Sequence, residues 1–293
     1  MNTPLPPATQ RRHADQDATR VGWGCQQLWD RINPLWPGLA VEVVARIGST
    51  NTEVIDRLRL AGRGAFVHDS RADDLHPTLL VAVHQTSGRG RLGRTWHADP
   101  HTSLAFTLAV PMSRSDWSGL SLAVGVAVAR AVDPSGQHVR LKWPNDLWLS
   151  DGNGSGRKLG GVLIEAIAVG SQRVAVVGVG LNVMNQGHLP AIATVSEFAA
   201  DATPAGVLAE VGPALAQALR DFEAEGFAAF AGEFARRDLL AGANLTTTDP
   251  TCPEGLGEGV AADGALLVQR HGVQHRIVSG EVSVRPAPRR AAP

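Results

Sequence analysis

Residues 85–96 read QTSGRGRLGRTW and follow directly after the apolar run Leu79–Val83. Three glycines and three arginines fall within the seven residues 88–94. Glycines let a backbone turn tightly around a ligand and expose its N–H groups. Arginines add forked, permanently charged donors that suit phosphate and carboxylate. Since Trp96 adds a flat apolar face, the pattern predicts a loop that closes over an anionic ligand.

The same residues also spell G-x-G-x-x-G, from Gly88 to Gly93. A dinucleotide fingerprint needs a strand before it and a helix that opens on its last glycine. Residues 95–101, TWHADPH, contain Asp-Pro and show no helical periodicity, so they predict a loop instead. For this segment taken alone, a solvent-facing basic loop is the remaining alternative, because charge runs usually face water.

The composition describes an ordinary globular chain of one large domain or two. Of its 293 residues 44% are hydrophobic and 19% are charged, and the formal net charge is −1. That balance creates no overall field toward nucleic acid or a membrane. Cys25 and Cys252 lie far apart and support neither a disulfide framework nor a zinc site. We therefore expect a reducing, cytoplasmic location.

The order of segments predicts four regions. Residues 1–20 are polar and lack the apolar core of a signal peptide, which predicts a disordered tail. The most apolar helical stretch, Leu120–Val132, is shorter than the ~20 residues that a membrane span needs. We expect a catalytic domain over residues 21–242, a small β-domain over 243–286 and a second disordered tail over 287–293.

Hydrophobic periodicity predicts an α+β fold with a central mixed β-sheet flanked by helices. Thr50 and Glu53 have the spacing of a capping box at the start of a helix. We predict helices over 115–132 and over 205–240, the latter broken near Gly226, and a small C-terminal β-barrel. The predicted strands cover residues 39–47, 65–68, 79–85, 103–110, 139–143, 147–149, 159–169, 173–183, 258–260, 265–269, 275–278 and 282–284.

Three further segments combine polar side chains with glycine or proline at predicted strand ends. They are KWPND at 142–146, KLGGVL at 158–163 and GVGLN at 178–182. A cation followed by paired glycines permits close approach of a ligand to the backbone, although a turn or a sheet bend explains each segment equally well when it is taken alone. His97 and His101 lie in a predicted loop without a carboxylate partner, so we expect no metal site built from protein ligands alone.

Taken together, these motifs resemble those of the biotin–protein ligases. The resemblance covers residues 39–285 and includes a closing strand, GEVSVR, at 280–285. Residues 70–77 look like a local insertion. The motifs that carry the resemblance, in the order and spacing of that family, are GSTN at 48–51, the loop at 88–96, and the segments 142–146, 158–163 and 178–182.

The resemblance implies the class II synthetase-like catalytic fold, shared with lipoate ligases, and an SH3-like C-terminal barrel. It also implies that ATP activates biotin as biotinyl-5′-AMP, with Mg²⁺ bound near Asp146. Biotin then passes to a lysine of a biotin carboxyl carrier protein. The family's repressor members carry a helix-turn-helix domain, but only residues 1–38 precede the first predicted strand here. We therefore expect no DNA partner, no membrane, and a monomer or weak homodimer.

Site residues follow from the matched positions. The resemblance implies catalytic roles for Arg89, Arg91, Asp146, Lys158 and Arg285. It implies nucleotide binding by Arg91, Arg94, Trp96, Asn145, Asp146 and Asn182. It implies biotin binding by Ser49, Thr50, Asn51, Gln85, Gly88, Arg89, Gly90, Lys158, Gly160, Gly161, Val162 and Gly180.

Three alternatives remain open at this point. A lipoate–protein ligase would share the fold and chemistry, but GAFVHD at 64–69 matches that family's glycine-rich motif only faintly. A nucleic-acid-binding module could use the arginine loop, although the near-neutral net charge opposes it. A chain that only senses biotin would not need Lys158 and Arg89.

Overall fold

A computed structural model describes residues 22–64, 75–151, 156–185, 192–278 and 284–286. Its helices are α1 (Cys25–Ile32), α2 (Thr50–Gly64), α3 (Leu120–Val132), α4 (Pro204–Glu225) and α5 (Ala228–Arg237). Its strands are β1 (Ala40–Ile47), β2 (Thr78–Gln85), β3 (Gly88–Arg89), β4 (Thr95–Trp96), β5 (Ser103–Pro111), β6 (Val139–Lys142), β7 (Asp146–Ser150), β8 (Gly156–Val169), β9 (Gln172–Asn182), β10 (Asn244–Thr247), β11 (Glu254–Val260), β12 (Leu266–Arg270), β13 (Val273–Ile277) and β14 (Val284–Pro286).

The central element is a seven-stranded mixed sheet in the order β1-β2-β5-β9-β8-β7-β6. Only the β1–β2 pair is parallel, and helix α2 is the crossover that such a pair requires. The other neighbours pair antiparallel, and strands β6 to β9 follow one another directly as a meander. The predicted α+β architecture is therefore confirmed.

Helices cover both faces of the central strands. Alternate residues of a strand point to opposite faces. Leu79 and Val81 accordingly belong to the large core formed with α1, α3, α4 and α5, whereas Leu80 faces a smaller core with Val54 and Ile55 of α2. This explains why β2 and β5 read as nearly continuous apolar runs rather than as alternating ones.

Helix α4 is held at its start and at its proline by side chains. Thr203 caps the first turn by accepting a hydrogen bond from the Gly206 amide. Pro213 lies inside the helix and cannot donate to the carbonyl four residues earlier, which belongs to Ala209. The Arg31 guanidinium of α1 donates to that carbonyl instead, so the two helices are joined where the helix lacks its own bond.

The predicted small C-terminal β-region is present as a five-stranded antiparallel sheet, ordered β13-β12-β11-β10-β14. It packs against the start of α3, where Gly119 and Gly264 approach so closely that a Cβ at Gly264 would lie 2.8 Å from the Gly119 Cα. The Trp143 indole also donates to the Gly264 carbonyl, at 2.9 Å. Within the described part of the chain, no helix has the length and apolarity to span a membrane.

Several sequence-based boundaries need correction. Helix α3 begins at Leu120 rather than at 115, because Gly119 has a positive φ of 78° and the Asp116 carboxylate holds the Ser118 amide in a turn. The proposed capping box is wrong: Ser49 accepts from the Thr52 amide, while the Thr50 amide and hydroxyl both contact Gln85. Part of TWHADPH is a short strand, β4, rather than loop. The proposed strand at 65–68, most of the insertion and residues 282–283 lie outside the described residues.

Candidate active site

A small pocket of about 60 Å³ opens between the start of α2, the loop 88–96 and the middle of β8 and β9. Of the residues proposed for biotin, Gly88 and Gly160 do not line it. Its lining residues are Ser49, Thr50, Asn51, Gln85, Arg89, Gly90, Trp96, Phe106, Lys158, Gly161, Val162, Leu163, Gly178, Val179 and Gly180.

One end of the pocket is a chain of buried polar groups. Gln85 Oε1 accepts from the Thr50 amide at 2.7 Å and lies 3.0 Å from the Thr50 hydroxyl. Thr107, from the neighbouring strand β5, lies 2.8 Å from the Thr50 hydroxyl and 2.6 Å from Asn51 Oδ1. Gln85 Oε1 and Asn51 Oδ1 can only accept, so the Thr50 hydroxyl donates to Gln85 and the Thr107 hydroxyl donates to Asn51. The contact of 2.8 Å between the two hydroxyl oxygens is then left without a proton of its own.

Two glycines of β9 make room for this end of the pocket. A Cβ at Gly178 would lie 2.3 Å from Asn51 Oδ1, and a Cβ at Gly180 would lie 2.5 Å from the Trp96 ring. Trp96 therefore lies against the strand in the same pocket as Ser49–Asn51. Its indole N–H is buried and has no hydrogen-bond partner among the described residues, so it is a donor that a bound ligand could use.

The other end of the pocket carries a charge pair. Lys158 Nζ lies 2.7 Å from Asp146 Oδ1 and 6.0 Å from the centre of the Trp96 ring. A Cβ at Gly161 would lie 3.3 Å from the Asp146 carboxylate and 3.5 Å from Lys158 Nζ. Asn182 Nδ2 donates to the Lys158 carbonyl at 3.4 Å. The backbone of β8 thus passes directly beside the two charges, which leaves them accessible to a ligand in the pocket.

The structure separates Arg89 from Arg91, which the sequence places two residues apart. Arg89 lies 3.4 Å from the Thr52 hydroxyl and 3.5 Å from the Glu165 carboxylate, at the α2 end of the pocket. Arg91 donates to Asn145 Oδ1 at 3.3 Å. Burial lowers the pKa of Arg91, and the neighbouring Arg94 lowers it further. The Arg94 side chain itself is exposed.

Arg91 and Asn145 line a second hollow of about 280 Å³. It lies at the N-terminal end of α3 and shares Val162 with the first pocket. Asn145 Nδ2 donates to the Val162 carbonyl at 2.7 Å, which orients its oxygen toward Arg91. The second hollow is lined by Arg91, Trp117, Gly119, Leu120, Ser121, Pro144, Asn145, Val162 and Ile164. Arg285 contributes its backbone to β14, opposite Thr246, and its side chain lies outside the described part of the structure.

Comparison with known proteins now places the chain. Residues 46–182 match the model of the biotin/lipoate A/B protein ligase family. The bifunctional ligase/repressor BirA of Salmonella typhimurium is 30% identical over 273 residues, which cover 88% of this chain and 78% of that protein. The chain belongs to the biotin–protein ligases of this family. A biotin–[acetyl-CoA-carboxylase] ligase of Mycobacterium tuberculosis is 35% identical to this ligase over 61% of the chain and 57% of that protein.

A solved structure agrees with this assignment. The biotin protein ligase of Aquifex aeolicus, in complex with biotin and ATP, superposes on this ligase with a TM-score of 0.67 and 25% identity. The match covers 84% of this chain and 99% of that one. The predicted family and fold class are both confirmed.

The sequence analysis did not propose Thr107 and Glu165, which contact the pocket residue Asn51, nor four residues that line the pocket: Phe106, Leu163, Gly178 and Val179. Thr107 is the one polar residue inside the apolar run of β5, and Glu165 is the one charged residue in the apolar second half of β8. Those interruptions were visible signals. Gly178 lies in a segment that was singled out, but its closeness to Asn51 depends on α2 packing across β9, which no local pattern reveals.

Proposed function

We propose that this ligase activates biotin with ATP as biotinyl-5′-AMP and transfers it to a lysine of a biotin carboxyl carrier protein. The observation that carries the proposal is one pocket with two different ends: a buried end lined mainly by uncharged polar side chains, with Arg89 beside it, and a second end that carries a charge pair. Ser49–Asn51 and Gln85 line the polar end, with the buried Thr107 bonded to Asn51 behind them, and Lys158, paired with Asp146, lines the charged end. A ligand with a polar head and a distant carboxylate matches that arrangement.

The polar end favours biotin over lipoate. The ureido ring of biotin offers a carbonyl and two N–H groups, whereas the dithiolane ring of lipoate offers no strong donor or acceptor. Ser49, Thr50, Asn51 and Gln85 are at most 8% exposed, and Thr107 is fully buried. An apolar ring would leave without a ligand partner those donors and acceptors that face the pocket and are not already paired within this group, at a cost of about 1–3 kcal/mol for each.

The charged end supports the adenylation step. A biotin carboxylate oxygen attacks the α-phosphorus of ATP, the bond to the β-phosphate oxygen breaks, and pyrophosphate leaves. The reaction brings two anions together, so the Lys158 ammonium and the Arg91 guanidinium screen that repulsion. Charge-assisted hydrogen bonds of this kind contribute about 1.5–3 kcal/mol each. No protein nucleophile is required, because the attacking oxygen belongs to the substrate.

The nucleotide occupies the neighbouring second hollow in this proposal. Arg91 and Asn145 line it, and the exposed Arg94 is available to the outer phosphates. Asn182 supports the Lys158 backbone, and Arg285 would approach from the small sheet. Asp146 offers the one carboxylate that an Mg²⁺ ion bound chiefly to ATP phosphates needs, so the donor set fits the ion. When bound, Mg²⁺ would neutralise phosphate charge.

The pocket must widen to admit biotin. Its volume of about 60 Å³ is below the ~300 Å³ at the lower end of ligand sites. Arg89, Gly90 and Trp96 form its loop wall, so we infer that the loop 88–96 moves outward and closes again over the product. Closure would shield the mixed anhydride from water until the carrier lysine arrives.

In the second step the neutral lysine amine attacks the biotinyl carbonyl, AMP leaves, and a carboxylate such as Asp146 accepts the amine proton. We propose that both steps take place in the cytoplasm, in a monomer or weak homodimer, with neither DNA nor a membrane as partner. Arg285 and Asp146 would act on the phosphates and on the amine respectively.

Pyrophosphate exchange into ATP tests the proposal, with biotin and lipoate supplied separately. We expect exchange that depends on biotin and negligible exchange with lipoate. Exchange with lipoate alone would assign the chain to the other branch of the family. Absence of exchange with either acid, in protein that binds biotin by calorimetry, would favour the sensing module.

A further inference from the structure

Glu165 connects the floor of the biotin pocket to the loop that covers it. It lies on β8, on the face that packs against α2, and its side chain is 26% exposed. Its Oε2 accepts from Asn51 Nδ2 at 3.1 Å, and its Oε1 lies 3.5 Å from the Arg89 guanidinium. Asn51 belongs to α2 and Arg89 to β3. One carboxylate therefore contacts two elements of the pocket that lie far apart in the sequence.

The contact with Asn51 determines which way its amide faces. Asn51 Nδ2 has two acceptors, the Glu165 carboxylate and the Leu163 carbonyl at 3.2 Å. A carboxylate can only accept, so the NH₂ group must be on that side. The Asn51 oxygen then faces Thr107 and Gly178, inside the pocket. Asn51 is thereby presented as an acceptor, which suits an N–H group of the bound ligand.

The contact with Arg89 is too weak to be a matter of stability. The Arg89 side chain is 48% exposed and its distance to Glu165 is long, and exposed pairs of this kind contribute about 0–1 kcal/mol. The same guanidinium also lies 3.4 Å from the Thr52 hydroxyl, at the first turn of α2. Together, the two weak contacts of Arg89 favour its place beside the first turn of α2 and add little to the stability of the fold.

We propose that Glu165 is a positioning residue for biotin binding. It holds the Asn51 amide with its oxygen toward the ureido N–H and keeps Arg89 over the α2 end of the pocket. The inference rests on the proposed function and adds to it a residue that does not itself touch the substrate.

Replacing the carboxylate by an amide separates this role from packing. Gln has nearly the same size as Glu, but it has one acceptor oxygen for two donors. Its NH₂ group would face either Asn51 Nδ2 or Arg89. When it faces Asn51, the Asn51 amide keeps only the Leu163 carbonyl as an acceptor and loses the charge-assisted bond that helps to orient it. Glu42→Gln is the matched control, since Glu42 also pairs with an arginine, Arg57 at 2.8 Å, and neither residue lines the pocket.

The experiment measures KM for biotin, KM for ATP and kcat by pyrophosphate exchange in both variants. For Glu165→Gln we expect KM for biotin to rise about 10-fold, the equivalent of one lost charge-assisted hydrogen bond, with kcat and KM for ATP within about 2-fold of the unmodified enzyme. Glu42→Gln should match the unmodified enzyme. A lower kcat with unchanged KM for biotin, or no change at all, would overturn the proposal.

A second arm tests whether Glu165 acts through Asn51. In an Asn51→Ala background, Glu165→Gln should raise KM for biotin by much less than it does alone, because the amide that it orients is gone. If Glu165→Gln still raises KM for biotin by roughly 10-fold in that background, Glu165 does not act through Asn51 and the proposal is overturned. If the unmodified enzyme shows no biotin-dependent exchange, the proposed function has failed. If it is active but Glu165→Gln resembles Glu42→Gln, this inference alone has failed.

Discussion

Lys158 Nζ lies 2.7 Å from Asp146 Oδ1 across the backbone of β8 at Gly161. The two side chains are 38% and 24% exposed, so water screens the pair and its contribution to stability is small. What the pair provides is placement: Asp146 holds a flexible ammonium at the charged end of the pocket before an anion arrives. β7 and β8 are adjacent strands that pair Asp146 with Gly161 and Trp148 with Lys158, and the lysine side chain reaches Asp146 past Gly161, which has no side chain to block it.

Lys158→Ala should remove most of the adenylation activity while leaving the fold intact. Loss of a preorganised charge at the reacting phosphate costs about 10²–10³ in rate in comparable sites. Pyrophosphate exchange measures the loss, and thermal unfolding by circular dichroism reports on the fold. Arg157→Ala is the matched control, because Arg157 is the adjacent residue but pairs with Glu197 outside the pocket. Exchange within about 2-fold of normal in Lys158→Ala would contradict the assigned role.

Gly178→Ala should abolish tight biotin binding. The added Cβ would lie 2.3 Å from Asn51 Oδ1, so the amide would have to leave its place beside Thr107. Calorimetry with biotin measures the effect, which we expect to exceed about 10-fold in Kd. Gly232→Ala is the control, since nothing lies within 4 Å of its Cβ position and it is part of α5. Normal affinity in Gly178→Ala would show that Asn51 does not contact biotin.

Thr107→Val should weaken biotin binding, whereas Thr107→Ser should largely retain it. Valine has the shape of threonine but removes the hydroxyl that donates to Asn51 at 2.6 Å, while serine keeps the hydroxyl and loses a methyl group. A net hydrogen bond is worth about 1 kcal/mol, which corresponds to a rise of roughly 5-fold in Kd. Equal affinities for the two variants would mean that the hydroxyl chain does not set the acceptor at Asn51.

Asp238 should make the protein less stable as pH rises toward neutrality. Burial raises its pKa from the usual 3.8 to about 6, although the Leu240 and Ala241 amides act in the opposite direction. The folded state therefore binds the proton more tightly than the unfolded state. The free energy of unfolding falls, through this group, as pH rises from about 4 to about 6, by an amount on the order of 3 kcal/mol.

Asp238→Asn should accordingly be more stable than the unmodified protein at pH 8 and similar to it at pH 4. Asn keeps an oxygen for the Leu240 amide, which donates to Asp238 at 2.8 Å, and it replaces an oxygen that has no partner among the described residues. Urea unfolding at the two pH values provides the measurement. The same substitution at the exposed Asp201 should leave the pH dependence unchanged. A variant that is less stable at both values would count against a buried, proton-binding Asp238.

A substantial part of the fold and the site could be read from the chain. The 2-residue and 3.6-residue periodicities located the strands of the central sheet and the helices α3 to α5, since burial of one face is written into residue spacing. Boundaries failed where a side chain outside the local pattern intervened. Gln85 takes up the Thr50 amide and hydroxyl, and the cap passes to Ser49.

By itself, the sequence determined the family and the residue types that the site needs. The arginine–glycine loop and the KWPND, KLGGVL and GVGLN segments state those types locally, in a fixed order. Only the tertiary structure decided which of these residues lie next to one another in the site. Arg89 and Arg91 are two residues apart, yet Arg89 ends a short strand and Arg91 begins the turn that follows the extended Gly90, so one side chain contacts Glu165 and the other contacts Asn145. Thr107 and Glu165 are visible in the sequence as polar interruptions of apolar strands, but strand register and helix packing decide that both contact Asn51, and those are relations between distant segments.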